Sequence, residues 1–482
     1  MTRTDLLIVG AGPTGLGAAW RLTAKGETNW LLCEAADRAG GLAGSVVDEQ
    51  GFTWDLGGHV QFSHYDYFDD LMDDLLGPHG WLYHQRESWV WVCGRFVPYP
   101  FQLNLHRLPE DERARCVRGL ITASLAAGRS GTRAAPPESF GQWIDAAFGP
   151  GIGDVFLRPY NWKVWAHPLA ELSWSWIGDR VALVDLPRVV QNIRLNRDDV
   201  SWGPNNQFRF PRHGGTGAIW RTLAARLDQA APGRLQFGRR LASLDTSAHV
   251  ATFTDGTTIR YGHLLTTIPL DALVAATDLA PALTPAAADL RFSSTHVIGI
   301  GLHGSAPAHL AAKCWMYFPE DDCPFYRITH FSHYSPNNVP DISRYWSLMA
   351  EVSESPVKPV DATRVEMETI DGLVNTGLVA DRAQVHHTWH RRLPRGYPTP
   401  SRHRDRALDA ILPVLEARGV YSRGRFGAWK YEVSNQDHSF AQGVECVDRL
   451  LSAAPEETLN HPEIVNQRRS TPRQAVVATS GR

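Results

Sequence analysis

The first pattern along the chain is an unbroken apolar run, Leu6 to Val9, closed by glycines: DLLIVGAGPTGLGAAWRL over residues 5–22. Apolar residues without alternation read as a strand buried on both faces of a parallel sheet. Gly10-x-Gly12-x-x-Gly15 then reads as a tight turn, and Gly17 to Leu22 as the start of a helix. A second strand, NWLLCE, ends at Glu34. Helices are predicted at Asp66 to Leu76, Glu110 to Ala127 and Ser139 to Phe148, with GRSGTRAAPPES as a linker between the last two. From Leu235 to Thr267 the pattern turns to short strands, with a hairpin signal at Asp255 to Thr257. The alternating runs THVIGIGL (Thr295 to Leu302) and YWSLMAEVS (Tyr345 to Ser353) predict a larger antiparallel sheet, which also holds MYFPEDDCPFYRITHF (Met316 to Phe331). No internal repeat is present.

Composition narrows the classes. At 482 residues the chain is long enough for two or three domains. A formal charge of -3 gives no reason to expect a polyanionic partner, so nucleic acid is not expected. No apolar run approaches the roughly 18 residues of a membrane span, and the opening MTRTDLLIVGAG lacks a signal-peptide cleavage site. A cytoplasmic protein without membrane contact is expected. The six cysteines fall singly, which argues for neither a disulfide framework nor a metal site. The 17 tryptophans and 13 tyrosines can fill a core, or offer stacking surfaces to a flat ligand.

The glycine turn carries the first chemistry. Gly10, Gly12, Thr14 and Gly15 open a helix whose N-terminus suits a diphosphate, and Glu34 stands where the ribose-binding acid of a dinucleotide fold belongs. NAD and FAD share this fingerprint. The following loops favour FAD: AADRAGGLAGS brings Gly40, Gly41 and Leu42, GFTWDLGGHVQF brings Gly57 and Gly58, and NQDHSFAQGVECVDRLL (Asn435 to Leu451) leads into a helix that can point Gln436 and Ser439 at the flavin end. The expected fold class is α/β, with an FAD-binding Rossmann-like domain, a helical domain and an antiparallel β-sheet domain. The FAD-binding domain is discontinuous, 1–85 with 205–270 and 420–465. The helical substrate domain is 105–200, the sheet domain is 86–104 with 271–419, and 466–482 is expected to be a disordered tail.

GGHVQFSHYDYFDD, VPYPFQ, RPYNWKVWAHP, SWGPNNQFRFPRHGGTG, CWMYFPEDDCPFYR, RRLPRGYPTP and GRFGAWKYEVSNQDHSF together resemble the UDP-galactopyranose mutase family, in its longer eukaryotic, fungal-type branch. The resemblance spans roughly residues 4–465. It implies an isomerase that interconverts UDP-galactopyranose and UDP-galactofuranose: reduced flavin N5 attacks the anomeric carbon and expels UDP, the adduct opens, and reclosure through O4 gives the furanose. It implies FAD, active when reduced, with NADPH as reductant.

Carried over residue by residue, Arg327 and Arg180 would bind the diphosphate, and Tyr317, Tyr397 and Tyr431 would donate hydroxyls to it. A planar guanidinium offers paired donors to phosphate oxygens, which is why arginine suits this role. Tyr99, Gln102, Phe156, Asn161 and Trp165 would form the uridine pocket, with Asn205 and Trp315 on the sugar. His59 would face the flavin, Leu241 and Arg425 would contact the FAD, and Arg86 and Ser88 match positions tied to NADPH. SWGPNNQ would be a flap closing with the Arg180 loop. The resemblance makes the partner a UDP-sugar and leaves a homo-oligomer open.

Two other readings stand beside this one. A flavin amine oxidase shares the FAD domain but needs no diphosphate clamp, and a mutase of another nucleotide hexose would keep every feature above. Gln61, Leu103, Ile328 and His333 depart from the fungal pattern. In an extended GGHVQF, Gln61 shares a face with His59 and either reaches the hexose or faces solvent.

Overall fold

The computed structural model describes residues 1–129, 136–183, 185–200, 203, 206–471 and 473. Half of the expected linker between the second and third predicted helices, and most of the expected flap, lie outside them.

The run Leu6 to Val9 sits in strand Thr2–Val9, the centre of a seven-stranded sheet. Trp30–Cys33 and Thr258–Thr266 flank it in parallel, and Leu235–Gln236 and Val420–Ser422 extend it. Both faces are covered, which explains the lack of alternation. Leu6 and Ile8 pack with Leu16, Trp220 and Phe440, whereas Leu7 and Val9 pack with Leu273, Ile411 and Trp429. Helix Pro13–Ala24 begins directly after the glycine turn. Gly15 is fixed by packing alone, since a Cβ there would lie 1.9 Å from the Gly10 carbonyl oxygen.

A second sheet of seven strands runs in the order Val385–Pro398, Phe292–His303, Tyr345–Glu354, Arg327–His330, Trp315–Tyr317, Ser88–Val92, Arg95–Pro98. It is antiparallel except where Trp315–Tyr317 joins Ser88–Val92 in parallel. THVIGIGL was read as an alternating run of an antiparallel sheet, and the strand is buried throughout its centre. Ile298 and Ile300 pack with Leu348, Val365 and Leu373 on one side. On the other, Gly299 and Gly301 leave room for the rings of Trp54 and Phe52, which an added Cβ would meet at 2.5 and 2.6 Å. The alternation is of size rather than polarity.

The helical region contains Glu110–Arg129, Phe140–Ile152, Arg158–Trp165 and Leu186–Leu195. Ser139, predicted as the first residue of its helix, lies just outside it and caps it, accepting a bond from the Gln142 amide. Asp66–Leu76 has the predicted bounds. The segment expected as a disordered tail begins with docked residues. Ser470 Oγ donates to the Ser63 carbonyl at 3.0 Å and Arg473 reaches Asp70 at 2.7 Å. Among the described residues no helix is long and apolar enough to cross a membrane.

Candidate active site

The two sheets and the helical region converge on one cavity of about 780 Å³. One limb is lined by glycines. Gly10, Gly12 and Thr14 lie at the N-terminus of helix Pro13–Ala24, whose first turn no side chain caps, so its amides can meet an anion. A Cβ on Gly41, which has φ +53°, would approach the Gly12 Cα at 3.4 Å, so the two glycine loops face each other closely. Glu34 ends its strand beside them, accepting from the amides of Ala11 at 2.6 Å and Ala36 at 2.8 Å. Leu42, Gly57 and Gly58 continue this wall, and Gln436 and Ser439 join it from the first turn of helix Gln436–Ser452. An uncapped helix start, facing glycines and a ribose-placed acid fit an extended flavin dinucleotide.

At the centre stands Arg327. Its backbone pairs with Glu351 across adjacent strands, and its guanidinium grips that carboxylate, Nε to Oε1 at 2.9 Å and Nη2 to both oxygens at 2.6 and 2.8 Å. Tyr326 Oη and the Gly58 amide also donate to Glu351. Burial opposes the Glu351 charge, but Arg327 and these donors outweigh it and hold the carboxyl below its usual range. Arg425 approaches from another side with neutral partners, the Gly396 carbonyl at 2.9 Å and Ser434 Oγ at 2.9 Å, and lies 4.9 Å from the Tyr397 ring centre. Arg180 bonds the Glu432 carbonyl and Asn466 Oδ1.

Around the guanidiniums lies a cluster of rings. Tyr99, Tyr160 and Tyr317 meet edge to face, as do Trp165 and Tyr431, and Tyr397 joins them. Trp315 Nε1 donates to Tyr317 Oη at 2.6 Å. Burial raises the phenols of Tyr99, Tyr317 and Tyr397, so they remain protonated donors. Farther along, Asn161 is internally satisfied, donating to the Leu157 carbonyl and accepting from Trp165. Gln102 donates Nε2 to the Ala182 carbonyl at 2.7 Å, while its Oε1 is buried with no partner among the described residues.

His59 lies beside the glycine pair. Burial pushes its imidazole down to about 4 against the pull of Glu351, and Arg425 and Arg327 add to the push, so the ring is neutral near pH 7. Its Nδ1 is buried and has no hydrogen-bond partner among the described residues.

Of the residues singled out in the sequence, the cavity wall also takes in Phe156. Gly15 and Leu241 are not among its lining residues, the first because it packs against Gly10 and the second because it starts an outer hairpin strand. Arg86 and Ser88 are also outside that wall: both are buried, with Arg86 5.8 Å from the Tyr99 ring centre. Asn205 lies outside the described residues. Sequence reading missed Glu351, Tyr160, Tyr326 and Trp176. For Glu351 a signal existed, a single acid inside the otherwise uncharged run YWSLMAEVS.

Comparison with known proteins agrees with this geometry. A family model described as NAD(P)-binding Rossmann-like domain matches residues 8–75, and one described as flavin containing amine oxidoreductase matches residues 175–407. A putative protoporphyrinogen oxidase from Exiguobacterium sp. 255-15 shares the fold at 17% identity (TM-score 0.68, 93% of this chain and 98% of that one). A putrescine oxidase does so at 14% identity (TM-score 0.62, 93% and 99%). The crystal structure of a reduced UDP-galactopyranose mutase superposes with a TM-score of 0.92 at 48% identity, over 98% of this chain and 99% of that one. By that identity over nearly the whole of both chains, this chain belongs to the UDP-galactopyranose mutase family.

Proposed function

We propose that this chain is a flavin-dependent mutase that interconverts UDP-galactopyranose and UDP-galactofuranose, with FAD along the glycine limb and NADPH as its reductant. The observation that carries the reading is a single cavity joining a dinucleotide limb, a guanidinium cluster and an aromatic pocket. An amine oxidase site has no need of the last two. The long motifs shared with the fungal-type branch support placing the chain there.

Held along the glycine limb by Gly10, Gly12, Thr14, Glu34, Gln436 and Ser439, the reduced cofactor would supply a nucleophilic nitrogen. The chain's residues do the rest. Arg327, kept at one angle by Glu351, holds the diphosphate both as leaving group and as returning nucleophile. Arg425 adds positive charge beside it. The protonated phenols of Tyr317 and Tyr397 donate to phosphate oxygens. Phe156 and Trp165 stack on the base, while Gln102 Oε1 accepts from an N–H on its edge. Arg180 and the surrounding rings exclude water, which would otherwise capture an activated sugar. His59 stays neutral and so does not compete for the diphosphate.

The test is to incubate the purified, FAD-loaded enzyme anaerobically with UDP-galactopyranose, with and without NADPH or dithionite, and to resolve the products chromatographically. Conversion to the furanose should require the reductant. Equal turnover in air without reductant, or no conversion by the reduced enzyme, would overturn the reading.

A further inference from the structure

Gln61 follows the second glycine pair by three residues, and its backbone is pinned. It exchanges amide-to-carbonyl bonds with Arg209 in both directions, at 3.0 and 2.9 Å. Arg209 is buried in turn, bonded to Asp69 at 2.8 Å and to Asp73, and lies over the Trp81 ring. The starting point of the Gln61 side chain is therefore fixed.

The residue is 3% exposed and lines the cavity, so it does not face solvent. Its Nε2 is buried and has no hydrogen-bond partner among the described residues. Two other atoms on the same wall share that condition, His59 Nδ1 and Thr329 Oγ1. Buried polar groups are paired in the great majority of cases, so orphans on a cavity wall, these three as well as Gln102 Oε1, Thr295 Oγ1 and Asp437 Oδ1 elsewhere in the lining, mark where polar ligand edges belong. Their position identifies the edge. A Cβ on Gly58 would lie 3.1 Å from Arg327 Cζ and 2.9 Å from Thr329 Oγ1, so this wall starts at the guanidinium. Gln61 is at most about 11 Å of chain farther on. Tyr99, Phe156 and Trp165 line the same cavity. With Arg327 holding the diphosphate and the aromatic residues the base, as in the mutase reading, the group that this wall would meet is the hexose.

We propose that Gln61, with Thr329 beside it, reads a hydroxyl of the hexose, so that the site selects a UDP-hexose bearing that hydroxyl over its deoxy or acetamido analogue. The inference rests on the mutase reading. Nε2 donates to the sugar oxygen, and the analogue lacking it leaves the amide buried and unpaired, which is how hydroxyl-bonding sites discriminate strongly.

The test compares the unaltered FAD-loaded enzyme with Gln61→Met, close in length but without the amide, and with Thr329→Val, which keeps shape without the hydroxyl. Two quantities are read: kcat/KM for UDP-galactopyranose relative to its 6-deoxy and 2-acetamido analogues, and the calorimetric Kd of UDP-galactopyranose relative to UDP. The variants should keep the Kd of UDP but lose at least about fivefold of one preference and of the sugar's contribution to binding. Variants that bind UDP normally and show unchanged ratios in both quantities would overturn the inference. If the reduced unaltered enzyme converts none of the sugars, while the variants still weaken UDP-galactopyranose relative to UDP, the mutase reading fails and the hexose contact stands.

Discussion

Arg327 and Glu351 are cross-strand partners whose side chains form a forked ion pair, and the third and fourth donors to that carboxylate are Tyr326 and the amide of Gly58. A lone guanidinium on a strand end would sweep several rotamers. Here it is fixed before any ligand arrives, and no hydrogen bond among the described residues takes up Nη1. Arg327→Ala should lower kcat/KM by about one to two decades, the equivalent of a lost charge-assisted bond of roughly 1.5–3 kcal/mol. Flavin content, read from the absorbance ratio at the flavin and protein bands, should stay near that of the unaltered enzyme, because the glycine limb is untouched.

Glu351→Gln separates holding from binding. The amide keeps the volume but removes the charge that opposes a phosphate, so UDP should bind no more weakly while turnover falls by about tenfold as the guanidinium loses its fork. Calorimetry with UDP beside steady-state kinetics checks this. Weaker UDP binding in Glu351→Gln would show that the carboxylate serves affinity instead.

The close contact of Gly58 makes a third prediction. Its φ lies outside the left-handed range, so alanine is allowed by the backbone, but a Cβ would come within 2.9–3.1 Å of Thr329 Oγ1, Glu351 Oε1 and Arg327 Cζ. Gly58→Ala should therefore lower turnover with UDP-galactopyranose strongly, with a smaller change in melting temperature. Gly26→Ala is the contrast: its surroundings are open but φ is +77°, so it should affect stability alone.

Much of this was legible from residue patterns because it is local. The strand, turn and helix at Leu6 to Leu22 are written in apolar runs and glycine spacing, and those are what the structure contains. The α/β class with its second, largely antiparallel sheet followed from the same kind of signal. What pattern could not supply was partnership across the fold. Nothing near Arg327 in the chain announces Glu351, 24 residues away, because the pairing exists only once two strands lie side by side. The choice left open for Gln61 was likewise a matter of burial, which a six-residue extended stretch does not encode. Conversely, Gly15 looked like a ligand residue and serves helix-to-turn packing, since close backbone approach and ligand approach both demand glycine.

The orphan acceptor on Gln102 makes base choice testable. Because Nε2 is committed to the Ala182 carbonyl, the amide cannot flip without losing that bond, and Oε1 must face a donor. Uracil presents N3–H, whereas cytosine presents a bare N3 lone pair. UDP should bind more tightly than CDP, and Gln102→Met should narrow that gap by about three- to tenfold while changing CDP affinity little. A competition series of UDP and CDP against the two proteins decides it.

Stability should fall as the solution is acidified from pH 7 towards 4, and the sign follows from which state binds protons. Burial pushes His59, His330 and His333 down to about 4 and His438 to about 3, so these rings stay neutral in the fold while the unfolded chain protonates them near its ordinary value of about 6.5. Depressed histidines contribute stability that is present above the unfolded value and lost as pH falls through the folded one. Two buried carboxyls act in the opposite direction. Asp55 is raised to about 6 and Glu445 to about 7, so the fold takes up their protons first and gains from acidification. Around pH 5 the unfolded chain binds about two more protons from these six groups, which gives a slope of roughly 2–3 kcal/mol per pH unit, falling toward acid. Urea denaturation at stepped pH measures it. His438→Gln, at a fully buried ring whose Nδ1 lies 3.5 Å from Asp437 Oδ1, should make that slope shallower by about one proton, and an unchanged slope would mean that His438 does not titrate on unfolding in this window.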